Sequence, residues 1–435
     1  MPNSLSLASF EPDTYLDSLE PIGWRLGLER MHKLTTALGL PQHRFGSIHV
    51  VGTNGKSSVT RMTAALLEAH GVPSGAAISP HTEHWSERTL IHGREVGADA
   101  WESAVEAVAK AAEGVNRTLE EGEAVTQFEA ATAATFVALA NAKVKAAAIE
   151  AGLGGRLDAT NTIPSRVTVL TSIGLDHTDW LGETELEIAS EKLAVLRDQT
   201  TLVLGRVSAE VAALAARTAA ERGARLVRAP EDPGAELEIL AAGDFQRRNF
   251  ALAIAAAEAF LGPLDPRLVA AVAASVSVPG RLERIAEHPP TYIDAAHNPD
   301  GVAALAEALP GVVGEGRVVA CLAVLADKDA AAMVKALAPV VDRAVCTELP
   351  PAALEGHGRP GARSRPAGEL VAACEAVGLK AEAEPDFEAA LRRGSALAAA
   401  LPEGVMLVAG SHYAIAPTRA YLAADRARGR HREAR

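Results

Sequence analysis

Residues 47–58, Ser47-Ile48-His49-Val50-Val51-Gly52-Thr53-Asn54-Gly55-Lys56-Ser57-Ser58, carry an apolar, β-prone run into a glycine turn and then into a lysine followed by two hydroxyls. The pattern reads as a phosphate cradle. Gly52 and Gly55 permit backbone angles that aim successive N–H groups at one anion, the following helix presents its positive end, and Lys56 adds a mobile charge. Val59, Met62, Thr63, Leu66 and Leu67 keep helical spacing until Gly71 ends it, so the turn has a strand before it and a helix after it. Val50 stands where the first glycine of the usual GxxxxGK[ST] loop would lie, which makes this a shorter variant. A glycine turn taken alone also serves simply to join a strand to a helix.

A chain of 435 residues exceeds one ordinary core and favours two or three domains. Aromatic residues make up only 4% of it, so alanine and branched aliphatics must fill the interior, which suits α/β layers better than a base-stacking surface. The net charge of -13 argues against nucleic acid or anionic membrane as partners, although a local basic cluster still accommodates a polyanionic substrate. Cys321, Cys346 and Cys374 lie far apart without metal-type spacing, as in a reduced chain with buried thiols. Glu11, Asp13, Asp17 and Glu20 crowd the first twenty residues with no long apolar run, so neither a signal peptide nor a membrane helix is expected. These features predict a soluble cytoplasmic protein, expected to be a monomer. The five arginines of 426–435 read as a solvated, fraying helix end.

From residue 47 to about 205 short apolar runs alternate with amphipathic stretches. Strands are predicted at 47–51, 144–149, 167–173 and 201–204, and helices at 57–70, 99–113, 127–142 and 184–197. The alternation implies a mostly parallel sheet covered on both faces, with ligands at the carboxyl ends of its strands. Val278-Pro279-Gly280-Arg281 interrupts the helical pattern of 245–275, and a second α/β unit follows. Its strands are predicted near 291–294, 317–322, 343–347 and 405–409, its helices at 300–308, 329–339, 367–376 and 387–400, with an exposed loop at 348–366. The predicted division is an ATP-binding unit with an N-terminal extension over 1–282, a smaller unit over 283–425 and a basic tail over 426–435.

Several polar clusters fall past the predicted strand ends. Glu150 precedes the glycine-rich run 151–155; beside a phosphate loop it suits Mg²⁺, although a solvated strand end is the plain alternative. Asp176-His177-Thr178-Asp179 offers either metal donors or helix caps. Ser79-Pro80-His81 and Trp85-Ser86-Glu87-Arg88 read as a polar loop. Asp294-Ala295-Ala296-His297-Asn298-Pro299 starts a helix in the second unit, and Asp327-Lys328-Asp329 and Gly410-Ser411-His412-Tyr413 lie on the same edge of its sheet. That edge would face the phosphate loop across a cleft. Lys192 sits among polar positions of an amphipathic helix, where composition selects nothing but a solvated lysine.

In order, Gly52–Lys56, Ser79–His81, Glu150–Thr160, Leu175–Gly182, Glu191-Lys192, Pro279–Arg281, Asp294–Pro299 and Asp327–Asp329 resemble the folylpolyglutamate synthase/dihydrofolate synthase family, a branch of the Mur ligase superfamily, over about residues 20–425. The resemblance implies an α/β fold: a Mur-ligase-like P-loop ATPase domain with a mostly parallel sheet and a smaller C-terminal Rossmann-like α/β domain. It further implies that Gly52, Thr53, Asn54, Gly55, Lys56, Ser57 and Ser58 hold the phosphates of ATP, and that Asn249, Arg281 and Asp294 contact the nucleotide. By the same resemblance Ser79, Glu150 and His177 organise Mg²⁺, joined by Lys192 as a carbamylated lysine. Thr126, Gln127, Phe128 and Glu129 with Leu157, Asp158 and Ala159 would border the pterin, while His297 and Ser411 shape the nucleotide and glutamate side. Lys56, Lys192 and His297 are the implied catalytic residues. The chain departs from the family pattern at Ser57, where glycine is common, at Leu193-Ala194 and at Thr82.

The activity this implies is ATP-dependent amide formation. A carboxylate of dihydropteroate or of a folate glutamate tail becomes an acyl phosphate, and the amine of L-glutamate displaces phosphate. Two alternatives keep the ATP site. An amino-acid ligase of the same superfamily with another carboxylate acceptor would be expected to carry a precursor-binding domain before Ser47. A nucleotide-binding regulator without turnover would have no use for Glu150, His177 and Lys192 together.

Overall fold

The structure, a computed structural model, describes residues 10–20, 27–354 and 361–433. Two sheets organise it. The first contains β1 (Gly46–Val51), β2 (Ser74–Ala77), β3 (Thr89–Ile91), β4 (Arg94–Glu95), β5 (Ala146–Glu150), β6 (Ser165–Leu170), β7 (Thr201–Leu204) and β8 (Arg225–Arg228), in the order β4-β3-β2-β5-β1-β6-β7-β8. All neighbours are parallel except β2–β3 and β3–β4, which fold as an antiparallel edge. Winding reverses across β1, which pairs β5 on one side and β6 on the other, and a crevice opens at the carboxyl ends where it does so.

Burial on both faces explains the composition of these strands. In β5, Ala147 and Ile149 pack toward the helices Ala98–Asn116 and Gln127–Asn141, while Ala146 faces the helices Lys56–Ala69 and Asp244–Leu261. Small alanines let those helices approach the sheet closely, which is how a chain poor in aromatics closes its core. The first sheet therefore supplies a rigid floor from which only the loops at its carboxyl edge rise.

The second sheet holds β9 (Glu283–Glu287), β10 (Pro290–Ile293), β11 (Val318–Leu322), β12 (Arg343–Cys346), β13 (Ala381–Ala383) and β14 (Val405–Ala409) in the order β13-β12-β11-β14-β10-β9. Only β9 runs antiparallel to its neighbour. The helix Pro299–Val313 begins with Asn298 as its cap, the Asn298 Oδ1 accepting from Gly301 N at 2.8 Å, and it sets the residues before it on the edge facing the phosphate loop.

Several expectations are corrected. The pattern over 245–275 is two helices, Asp244–Leu261 and Pro266–Ala273, because Gly262 turns at φ 94° and Asp265 caps a fresh start at Pro266. β6 ends at Leu170 instead of 173, and the helix expected to reach 197 ends at Leu193. The stretch 348–366 is not an exposed loop throughout: Leu349 is buried and Ser364 bridges to Leu325, whereas 355–360 lie outside the described residues. The helix Ile415–Glu433 carries the chain into its basic end, but the side chains of 426–435 are outside the description. Among the described residues no helix is long and apolar enough to cross a membrane.

Candidate active site

The turn after β1 is held by the segment after β6. Thr53 N donates to Ser172 O at 2.9 Å, Asn54 N to Ser172 Oγ at 3.1 Å, and Thr171 Oγ1 to Asn54 O at 2.6 Å. Gly52 lies so close to Thr171 that a side chain there would collide with its hydroxyl. Gly55, at φ 84°, would bring a Cβ to 2.6 Å from Asn249 Oδ1. Both glycines are therefore demanded by close approach as well as by backbone angle. Lys56 opens the helix Lys56–Ala69 and its Nζ reaches back to Thr53 O at 3.2 Å, poised over the turn.

Around this turn lies a cavity of about 460 Å³ shared by the two sheets. Thr53 to Ser58, Ser79, Glu150 and Asn249 line it from the first unit, Arg281 lines it from the junction between the units, and Asp294 and His297 line it from the second. The nucleotide set expected from the sequence thus converges in one cavity except for Gly52, which precedes the first lining residue, Thr53. Sequence reasoning missed Thr171, Ser172, Arg206, Arg228, Arg248 and Asp300 in the same lining. Arg206 follows β7 and Arg228 ends β8, so the rule that ligands sit at carboxyl ends of parallel strands was the available signal.

Glu150, the last residue of β5, accepts from Ser57 Oγ at 3.0 Å through one oxygen and from Ser79 N at 3.0 Å through the other. Burial pushes its carboxyl pKa up, opposed by the Lys56 charge, by these two hydrogen bonds and by Arg281. Ser57, rather than the buried Ser58, is the hydroxyl that faces Glu150. Across the cavity Asp294 is likewise buried and shifted upward by desolvation against the pull of Arg281. Its oxygens accept from Leu282 N and Ala296 N, both at 2.7 Å.

Asp176 joins the two units. One oxygen accepts from Lys328 Nζ at 2.5 Å, and the other accepts from Asn298 Nδ2 at 3.0 Å and lies 3.5 Å from His297 Nε2. Burial opposes its ionisation, but the His297 hydrogen bond and the charges of His177, His297 and Lys328 hold its carboxyl far below the usual range. Asn54 and Asn298 also exchange amide hydrogen bonds at 3.2 and 3.1 Å, tying the phosphate loop directly to the second unit.

The solvated-face reading of Lys192 is wrong, since only 4% of the residue is exposed. Desolvation, followed by the nearby Lys56 charge, lowers its pKa to about 7 against the fields of Asp158, Asp176 and Glu191. His177, in the left-handed region at φ 52°, caps a short helix with its side chain about one-third exposed, its Nε2 3.9 Å from Asp176 Oδ1. Neither residue lines the nucleotide cavity.

The remaining expected site residues stand apart from that cavity. Thr126 and Glu129 form a reciprocal cap, Glu129 also pairs with Arg30 Nε at 3.1 Å, and Gln127 Nε2 donates to Leu16 O at 3.2 Å, so Glu129 and Gln127 anchor the N-terminal segment. Phe128 instead packs its ring directly on Gly152. Asp158 is buried and caps the turn Ala159–Thr162, Ala159 is buried beside it, and Leu157 is exposed. Ser411 is buried and caps the turn His412–Ala414.

The donor set around Glu150 fits a hard divalent cation: a buried carboxylate with the Ser79 and Ser57 residues beside it at the mouth of a phosphate loop. Among the described residues no group of three or more His, Cys, Asp or Glu side chains forms a metal site by itself. A cation there would take its other ligands from phosphate and water.

Comparison with known proteins bears on the family and the fold. Residues 50–238 match the Mur ligase middle domain, and residues 280–412 match the Mur ligase glutamate ligase domain. The chain is 34% identical over 358 residues to the dihydrofolate synthase/folylpolyglutamate synthase of Mycobacterium tuberculosis, covering 74% of each chain. It superposes with a TM-score of 0.81 and 29% identity on Escherichia coli FolC in complex with DHPP and ADP, over 95% of this chain and 97% of that one. A bifunctional folylpolyglutamate synthase/dihydrofolate synthase from Yersinia pestis, complexed with AMPPNP and Mn ion, gives a TM-score of 0.79 at 30% identity, over 94% and 96%.

Proposed function

The chain belongs to the dihydrofolate synthase/folylpolyglutamate synthase family of Mur ligases, and we propose from that membership how its own residues carry the reaction. It is an ATP-dependent ligase that adds L-glutamate to folates. In our reading it acts both on dihydropteroate and on the glutamate tail of reduced folates. The observation that carries this is the cavity in which the Thr53–Ser58 turn and Glu150 of the first unit meet Arg281 at the junction and Asp294 and His297 of the second.

The acceptor carboxylate attacks the γ-phosphorus of ATP, ADP leaves, and an acyl phosphate remains. The amine of L-glutamate then attacks the acyl carbon, phosphate departs, and the nitrogen loses a proton to give the amide. Two anions must meet in the first step, so its barrier is largely electrostatic. Backbone N–H groups of the turn, the helix end behind them and Lys56 Nζ offset that repulsion. Arg281 faces the same cavity from the junction between the units, and Asn249 braces Gly55 so that the turn keeps its shape. Asp294, fixed by two backbone N–H groups, presents a rigid edge for the nucleotide. Closure between the units keeps water from the acyl phosphate.

Mg²⁺ is the metal of this reading, held by Glu150 and Ser79 with His177 and Lys192 completing the set; when bound, it neutralises phosphate charge. Lys192 would act as its carbamate. Burial supports that, because a pKa near 7 leaves neutral amine at ordinary pH, and the neutral amine adds to carbon dioxide with loss of a proton to give an N-carboxylate. Phe128 and Leu157 are the members of the pterin set with exposed surface, and His297 with the Ser411 turn lies on the glutamate side. We divide the chain into 1–282 and 283–425, with 426–435 as a tail, in keeping with the two sheets. The three buried, unbridged cysteines accord with a cytoplasmic chain, which we take to act as a monomer.

Phosphate release with ATP, Mg²⁺ and L-glutamate, measured separately with dihydropteroate and tetrahydrofolate, tests the reading. Glutamate-dependent release with both acceptors is expected. Release with neither would overturn it.

A further inference from the structure

Arg88 is a buried charge for which the reaction so far has no use. It ends the turn Trp85–Arg88 just before β3, with only 7% of its surface exposed. Its guanidinium carbon stands 4.2 Å from the centroid of the Trp85 ring and 6.0 Å from that of Phe128. Nε donates to His81 Nδ1 at 2.8 Å. Among the described residues that is its one side-chain hydrogen bond, no carboxylate lies within ion-pair distance, and neither terminal nitrogen has an acceptor. Burial lowers its pKa to about 10, against the fields of Glu150, Tyr413 and Glu87.

A desolvated guanidinium without an anion is costly, and the cost is relieved when a carboxylate takes its planar donor edge in a bidentate pair. Which carboxylate follows from position. The Ser79–His81 segment binds Glu150 at one end through Ser79 N and Arg88 at the other through His81. Arg88 is thus close enough to Glu150 to feel its charge, yet it does not line the nucleotide cavity. A carboxylate that must meet the γ-phosphoryl group has to enter that cavity, so the one held by Arg88 is a second carboxylate of the same acceptor. Trp85 and Phe128 form apolar walls beside the guanidinium, which suits an aryl-linked glutamate better than a free amino acid.

We propose that Arg88 is a specificity-determining residue that binds the non-reacting α-carboxylate at the glutamyl end of a folate acceptor, with Trp85 and Phe128 flanking the adjoining group. This rests on the glutamate-ligase reading above. Dihydropteroate has only its reacting carboxylate and makes no use of Arg88.

The test compares tetrahydrofolate with its α-carboxamide, first in the wild-type protein and then in Arg88→Gln. The wild type should prefer the acid at least about tenfold in kcat/KM, and the variant should lose that preference to within about twofold, with the KM for ATP unchanged. Arg88→Lys, which keeps the charge but not the fork, should retain an intermediate preference and serves if Arg88→Gln does not fold. Wild-type turnover without discrimination, an unchanged preference in either variant, or a rise in KM for L-glutamate alone would overturn the role of Arg88 and leave the ligase reading standing. No turnover of any pterin acceptor by the wild type would overturn both.

Discussion

Asp176 and Lys328, 152 positions apart and rooted in different sheets, meet through a 2.5 Å hydrogen bond with less than a tenth of either side chain exposed. Removing one member of such a buried pair leaves the other charge uncompensated, which typically costs about 3–5 kcal/mol. Lys328→Met should therefore destabilise the protein by about 3 kcal/mol in urea unfolding. Asp176→Asn combined with Lys328→Met should cost less than the two single changes added. A loss within about 0.5 kcal/mol for Lys328→Met would show that the contact is incidental.

Glu150→Gln preserves shape but removes a charge at the mouth of the phosphate turn. Turnover should require much higher Mg²⁺, seen as a rightward shift of a metal titration of phosphate release. An unchanged titration would reduce Glu150 to a brace for Ser57 and Ser79.

Lys56→Ala should lower turnover by about 10²–10³ at saturating ATP, because the work of its ammonium is electrostatic. Urea unfolding should move little, since the Nζ makes a single hydrogen bond to Thr53 O. Near-normal turnover would contradict the phosphate-loop assignment.

Lys192→Ala should be nearly inactive, with small carboxylates partly restoring turnover by occupying the vacated position. Activity of the variant that matches the wild type across a bicarbonate series would remove Lys192 from the site.

His49 gives a pH signature independent of catalysis. It is fully buried on β1, with Nε2 2.9 Å from Thr160 Oγ1, and desolvation together with the Arg197 charge holds its pKa down at about 3, against an ordinary 6.5. The unfolded chain binds a proton below pH 6.5 that the folded chain refuses until about 3, so this stability is present above 6.5 and drains as pH falls between those values. His49→Leu should gain on the wild type by about 2 kcal/mol between pH 7 and pH 5 in urea unfolding. A constant difference would mean that His49 titrates normally.

Long periodic elements and the glycine turn were legible because their causes are local: spacing of apolar residues, capping and the angles glycine allows. Ser57 and Ser58 look alike in sequence, and only helix phase decides that Ser57 meets Glu150. Lys192 shares its helix with Glu185, Glu187 and Glu191, so its burial is invisible until the rest of the fold closes over it. The strands β3, β4 and β13, at or next to a sheet edge, span three residues or fewer, too short for an alternation to register. Arg88 lay in a segment that reads as a polar loop, and its isolation comes from partners, or their lack, that no spacing encodes.

The reciprocal amide pair between Asn54 and Asn298 carries a consequence for dissection of the chain. Each amide satisfies the other across the junction, and Asn298 also caps the helix Pro299–Val313 while donating to Asp176. Cutting the polypeptide between the sheets would strand half of a hydrogen-bonded seam on each fragment. The first fragment would keep its glycine turn but lose Asp294 and His297, and the second would keep those groups with no turn to face. Catalytic competence is thus a property of the uncut chain, and mixing the fragments would have to rebuild that seam before it rebuilt a site.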